Sequence, residues 1–133
     1  MKLILKSNST IQKIQQAFQQ HFSHLKIEFY KKPHHTEEGN AKKEQYLHNV
    51  TLAEIRQDSE DLELTINPSM PTGEFEASIE KNHHLHIQVL RLQRGTWLQT
   101  THTDMLSLQE QNEKGIQADI DIEPESPADI DYQ

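Results

Sequence analysis

The chain of 133 residues contains no cysteine. That excludes disulfides, thiolate metal sites and cysteine nucleophiles, and it leaves the redox compartment open. Glycine is scarce: no two of Gly39, Gly73, Gly95 and Gly115 are spaced for a phosphate loop or a dinucleotide fingerprint. No Gly-x-Ser-x-Gly elbow occurs. No stretch approaches the roughly eighteen consecutive apolar residues of a membrane span. The opening MKLILKSNST has an apolar run of three, too short for a signal-peptide core. The expectation is a cytoplasmic protein without a membrane partner. Basic residues form no stripe that would displace counterions, so non-specific nucleic-acid binding is disfavoured.

Apolar residues make up 33% of the chain, low for a globular domain. They concentrate in periodic segments, which is enough for a small core. The formal charge is −8, but residues 116–133 carry six acids and no base, so the remainder is close to neutral.

What is present is an order of elements that occurs twice. STIQKIQQAFQQHFSHLKIEFYK (9–31) and TGEFEASIEKNHHLHIQVLR (72–91) each begin with Ser or Thr. Each then shows helical periodicity, a His before a Leu, and strict alternation. Ile11, Ile14, Phe18 and Phe22 share one helical face; Leu25, Ile27 and Phe29 alternate as in a strand. Phe75 and Ile79, then Leu85, Ile87 and Val89, repeat the pattern. LILK (3–6) and LELTI (62–66) precede the two units. Tyr46 with TLAE (51–54) has counterparts in Trp97 and SLQE (107–110). The expected fold class is α+β: two tandem β-α-β-β-α units with helices packed on a mixed sheet, related by a pseudo-two-fold internal repeat. The halves are 1–58 and 59–115 sharing one core, and 116–133 reads as a disordered acidic tail.

Local signals place the boundaries. Ser9 with Gln12 is a permissible capping box for a helix over 10–22, and a strand-helix-strand crossover of this length is normally parallel. Residues 32–45 lack large apolar side chains and read as a mobile surface loop, followed by a short returning strand over 45–49. Thr51 and Glu54 form a true capping box, with Val50 and Ile55 in staple positions. Gln93-Arg94-Gly95 is the best hairpin signal, and Gly115 can close the last helix.

The junctions HLKIEF and HLHIQV, followed by TLAEIR and SLQEQN, resemble a loose set of small uncharacterised bacterial proteins. Their junction is typically Phe-Gly-Leu and their closing helix begins Thr-Leu-Ala. Here His24 and His84 stand in the glycine position. The resemblance covers about residues 2–115. It implies the duplicated architecture and no mechanism.

Histidine is the suggestive component, with nine residues including the pair His34-His35. His84 and His86, two apart on a strand, share a face; with His24 they are candidate ligands for a divalent metal. The favoured reading puts them on a wet face, so no metal and no cofactor is called for. Glu28, Glu63 and Glu76 likewise fall at wet positions. Trp97 is either an interface anchor or a core edge, with the core edge favoured, and Tyr46 is its counterpart. In the acidic segment, Ile120 and Ile122 alternate with acids, as in a strand that adds to a partner's sheet edge. The resulting expectation is a protein-interaction module or homodimer acting through surface recognition, with Trp97, Tyr46, Ile120 and Ile122 facing the partner. No small-molecule ligand is inferred. The opposed class is a metal-dependent or acid-base enzyme built on His24, His84 and His86.

Overall fold

The computed structural model describes residues 1–32 and 44–121. His34, His35, Ile122 and most of the expected loop and acidic tail lie outside the described residues. In chain order the elements are β1 (Lys2–Leu5), α1 (Ile11–Gln19), β2 (Leu25–Tyr30), α2 (Leu52–Arg56), β3 (Leu62–Thr65), α3 (Thr72–His83), β4 (His86–Gln93), β5 (Thr96–Gln99) and α4 (Leu108–Asp121). This is an α+β arrangement, and no described helix is long and apolar enough to cross a membrane.

The strands form two antiparallel sheets, β1-β3 and β2-β4-β5, in place of the expected mixed sheet. The parallel crossover rule governs successive strands of one sheet. Here β1 pairs with β3 and β2 with β4, both antiparallel, so among the described residues no parallel strand-helix-strand crossover occurs. Similar bonds recur ahead of α1 and α3. Isolated bridges join Thr10 to Thr51 and Pro71 to Ser107. Ile11 N donates to Val50 O and Leu52 N to Ser9 O; Thr72 N donates to Leu106 O and Leu108 N to Met70 O. The expected strand over 45–49 reduces to a bridge between Gln45 and Tyr30, with Tyr46 N donating to Phe29 O.

Helix α1 forms because Ile11, Ile14 and Phe18 recur at helical spacing, and all three are buried. Its cap is Thr10, one residue later than expected, whose hydroxyl accepts from Lys13 N at 3.3 Å. The α2 cap is the anticipated one: Thr51 and Glu54 bond reciprocally. One core gathers the inner faces of both sheets with α1 and α3. At its centre Phe18, with no exposed surface, lies 5.2 Å from the Phe22 ring and 6.0 Å from Phe75. The β4-β5 connection is tighter than expected. Arg94 (φ 53°) and Gly95 (φ 79°) form a two-residue turn with both central φ values positive, the geometry that matches strand twist.

Helix α4 does not close at Gly115; it continues to Asp121. Gly115 serves close approach instead. A Cβ there would stand 2.5 Å from Leu92 O and 2.8 Å from His24 Cβ. Past this contact Ala118 is buried, and Asp119 Oδ2 lies 2.6 Å from His24 Nε2. Residues 116–121, expected in the tail, are therefore helical.

Candidate functional site

A cleft of about 580 Å³ runs along α3. Gly73, Glu76, Ala77, Glu80, Lys81 and His84 line it from the helix. Their spacing of three and four residues sets them on one face. The helix stops because His84 takes a left-handed conformation, φ 57°, and its N–H bonds back to Glu80 O. Strand β4 begins two residues later and presents His86. The opposite wall carries Asp104, which follows the 3-10 turn Thr101–Thr103. It is fixed there because Gly73 N donates to Asp104 O at 2.8 Å. Gly73 permits this approach, since a Cβ would meet the Asp104 side chain at 3.1–3.2 Å.

Glu76 forms the cleft's inner edge and is only 6% exposed. Its carboxyl is pushed up to about 8, chiefly by burial, with the Val89 N–H opposing the shift and nearby Asp104 adding to it. Its Oε2 accepts from Val89 N at 2.7 Å and from Gln88 Nε2 at 3.2 Å. Thr100 Oγ1 donates to Val89 O at 2.9 Å. Beyond β5, the β4 edge is thus completed by side chains. Gln15 of α1 does related work on β2, donating to Ile27 O at 2.8 Å.

His86 Nδ1 is buried without a hydrogen-bond partner among the described residues. It lies 3.4 Å from Glu80 Oε1, close but outside hydrogen-bond geometry.

The three histidines singled out from the sequence divide. His84 and His86 share the cleft, although His84 caps a helix and only His86 belongs to the strand. His24 is at the other end of the sheet. Leu25 pairs with Arg91 and Tyr30 with His86, five steps or roughly 17 Å apart at about 3.4 Å per residue. There His24 bonds Ser23 Oγ at 2.8 Å and Asp119, and its N–H donates to Asn112 Oδ1 at 2.7 Å. It fastens α4 to the sheet. Among the described residues no three His, Asp or Glu groups converge as metal ligands.

Trp97 is half-buried, with Lys26 Nζ 4.7 Å from its ring centroid. Tyr46 adjoins β2, the edge away from β5, packed against the core with Lys31 Nζ 5.8 Å from its ring. Ile120 is exposed on α4. The described contacts do not bring these three together.

Two carboxylates depart from the expected wet positions. Glu28, 1% exposed, is held by Lys26 Nζ at 3.1 Å and His48 Nε2 at 3.0 Å. Strands β2 and β4 bury both faces, so alternation did not mark a solvent side. The buried Tyr30 hydroxyl is pushed up to about 12, chiefly by burial and further by Glu28 and Glu76. A sequence signal for Glu76 did exist. Ile11-Ile14-Gln15-Phe18 and Thr72-Phe75-Glu76-Ile79 both follow the i, i+3, i+4, i+7 stripe, with a polar residue at i+4. A long polar side chain inside such a stripe is buried and needs a partner.

No family model matches the chain, and searches of curated proteins and of solved structures also return no match.

Proposed function

We propose that this protein is a small interaction module that recognises a protein partner through the α3 cleft. The observation that carries the reading is the division of labour among its ionisable groups. Glu76, whose carboxyl burial raises to about 8, is bonded to the β4 edge, whereas Glu80 and Lys81 line the cleft. A group fixed to the strand stabilises the fold; groups bordering the cleft are placed for recognition. Trp97 and Ile120 are secondary contacts in this reading. Cytoplasmic action and two tandem β-α-β-β-α units belong to the same proposal. The recurring bonds around Thr10 and Pro71 support the duplication.

A second reading has one observation in its favour. A carboxyl shifted to about 8 shares a cleft with His84 and His86, as in acid-base catalysis. Two substitutions separate the readings. Ala77 is exposed on the cleft face, so Ala77→Arg fills the site without disturbing the core. Glu76→Gln retains an acceptor for Val89 N. The module reading expects a photo-crosslinked partner at Lys81 to be lost with Ala77→Arg and kept with Glu76→Gln. A turnover abolished by Glu76→Gln in a folded protein would decide for catalysis.

A further inference from the structure

We infer that the outer edge of β5 pairs antiparallel with the same edge of a second copy of this chain, joining two three-stranded sheets across a two-fold axis. None of the residues lining the α3 cleft belongs to β5, so this surface is independent of the recognition site proposed above. The strand order β2-β4-β5 leaves two outer edges. That of β2 is closed: Ile27 O accepts from Gln15 Nε2, Phe29 O accepts from Tyr46 N, and Lys31 N donates to Glu44 O. Among the described residues no strand lies beyond β5. In a hairpin with a two-residue turn the closing pair, Gln93 and Thr96, is hydrogen-bonded, and bonded pairs then alternate along the ladder. Thr96 and Leu98 therefore turn their main-chain groups to β4, and the N–H and C=O of Trp97 point outward.

The composition of this edge selects its occupant. Residues 95–101, Gly-Thr-Trp-Leu-Gln-Thr-Thr, carry no charge in a chain that is 26% charged. Soluble proteins guard open edges with charged side chains, Pro or a bulge. The β1-β3 ribbon follows that rule with the exposed ion pair Lys2–Glu63. Strand β5 has an unbroken register and none of these guards, and its apolar side chains protrude on both faces. Leu98 is 38% exposed and Trp97 is half-buried. A neutral edge gives a charged segment nothing to recognise, whereas two-fold antiparallel pairing makes it complementary to itself. Centred on Trp97, the pairing forms two N–H···O=C bonds and sets Leu98 opposite Thr96 of the second copy, with the two Leu98 side chains diagonal neighbours. Four residues cover less than a standard interface, so the association is weak.

The test is analytical ultracentrifugation of the full chain from about 10 μM to about 1 mM, the range in which so small an interface fills. The expected result is a reversible monomer–dimer equilibrium, with hydrogen-exchange protection of the Trp97 amide rising with concentration. Leu98 is partly exposed, so Leu98→Lys and Leu98→Glu should each keep the melting midpoint of the dilute protein and weaken association about tenfold. An equimolar mixture of the two should restore it, because lysine then faces glutamate across the axis. Ala77→Arg, in the α3 cleft, should leave association unchanged. A chain that stays monomeric throughout, or a mixture that regains nothing, would overturn the inference. Trp97 protection already complete in the dilute monomer would place the edge under the chain's own residues and refute it equally. Association lost in Ala77→Arg and kept in both Leu98 variants would move the interface to the cleft.

Discussion

Replacing Gly115 by alanine tests the seat of α4 through the sign of the effect. In an exposed helix interior, alanine is favoured over glycine by about 1 kcal/mol, since it restricts the unfolded chain and shields the backbone. Here the added Cβ would stand 2.5 Å from Leu92 O and 2.8 Å from His24 Cβ. Neither obstacle is the far end of a flexible side chain. Leu92 belongs to β4, and the His24 backbone is bonded on both sides, its N–H to Asn112 Oδ1 and its carbonyl to Leu92 N. Restoring ordinary contact requires α4 to withdraw by about 1 Å, which also stretches the Asn112 bond. Overpacking of this kind costs about 1–3 kcal/mol, and a weakened neutral hydrogen bond about 1 kcal/mol. After the propensity gain, Gly115→Ala should lose about 1–3 kcal/mol. Urea unfolding followed by Trp97 fluorescence and by circular dichroism measures this as a lowered midpoint at unchanged slope. A variant as stable as the parent, or more stable, would show that α4 does not press on His24 and Leu92.

Three further outcomes follow from the packing and the buried carboxyl. Phe18→Ala removes a fully buried ring between Phe22 and Phe75 and should cost about 3–5 kcal/mol, whereas Thr51→Ala should cost about 1 kcal/mol; equal midpoint losses in denaturant would contradict the assigned core. Glu76 is raised from 4.5 to about 8 in the folded chain, so the native state holds its proton where the unfolded state has released it. Its stabilising contribution is fully present below pH 4.5 and is lost as pH rises to about 8, at no more than about 1.4 kcal/mol per pH unit. The stability difference between wild type and Glu76→Gln, measured from pH 4 to 9, should therefore move in favour of the variant with rising pH; a flat difference would place the carboxyl in water. Truncation after Gly115 removes the buried Ala118 and the Asp119 partner of His24, so it should lower the melting midpoint; an unchanged midpoint would mean that residues 116–121 contribute nothing to the fold.

Sequence alone determined the elements whose causes are local. The Ile11-Ile14-Phe18 stripe, the Thr51–Glu54 capping box and the strands on either side of Arg94-Gly95 all follow from side-chain spacing, capping chemistry and turn preference. These depend on neighbours within a few residues. Tertiary structure decided what depends on partners distant in the chain. Alternation marks two faces of a strand without saying that both are covered, so Glu28 reads as wet and is buried. A glycine near the end of a helix reads as a stop, yet Gly115 is required by a strand and a histidine from elsewhere in the chain. The antiparallel pairing of β2 with β4 draws His24 and His86 to opposite ends of one ladder, while the left-handed turn at His84 keeps His84 and His86 in one cleft. Residue types are chosen position by position, but whether two of them meet is a property of register and packing, which only the closed core supplies.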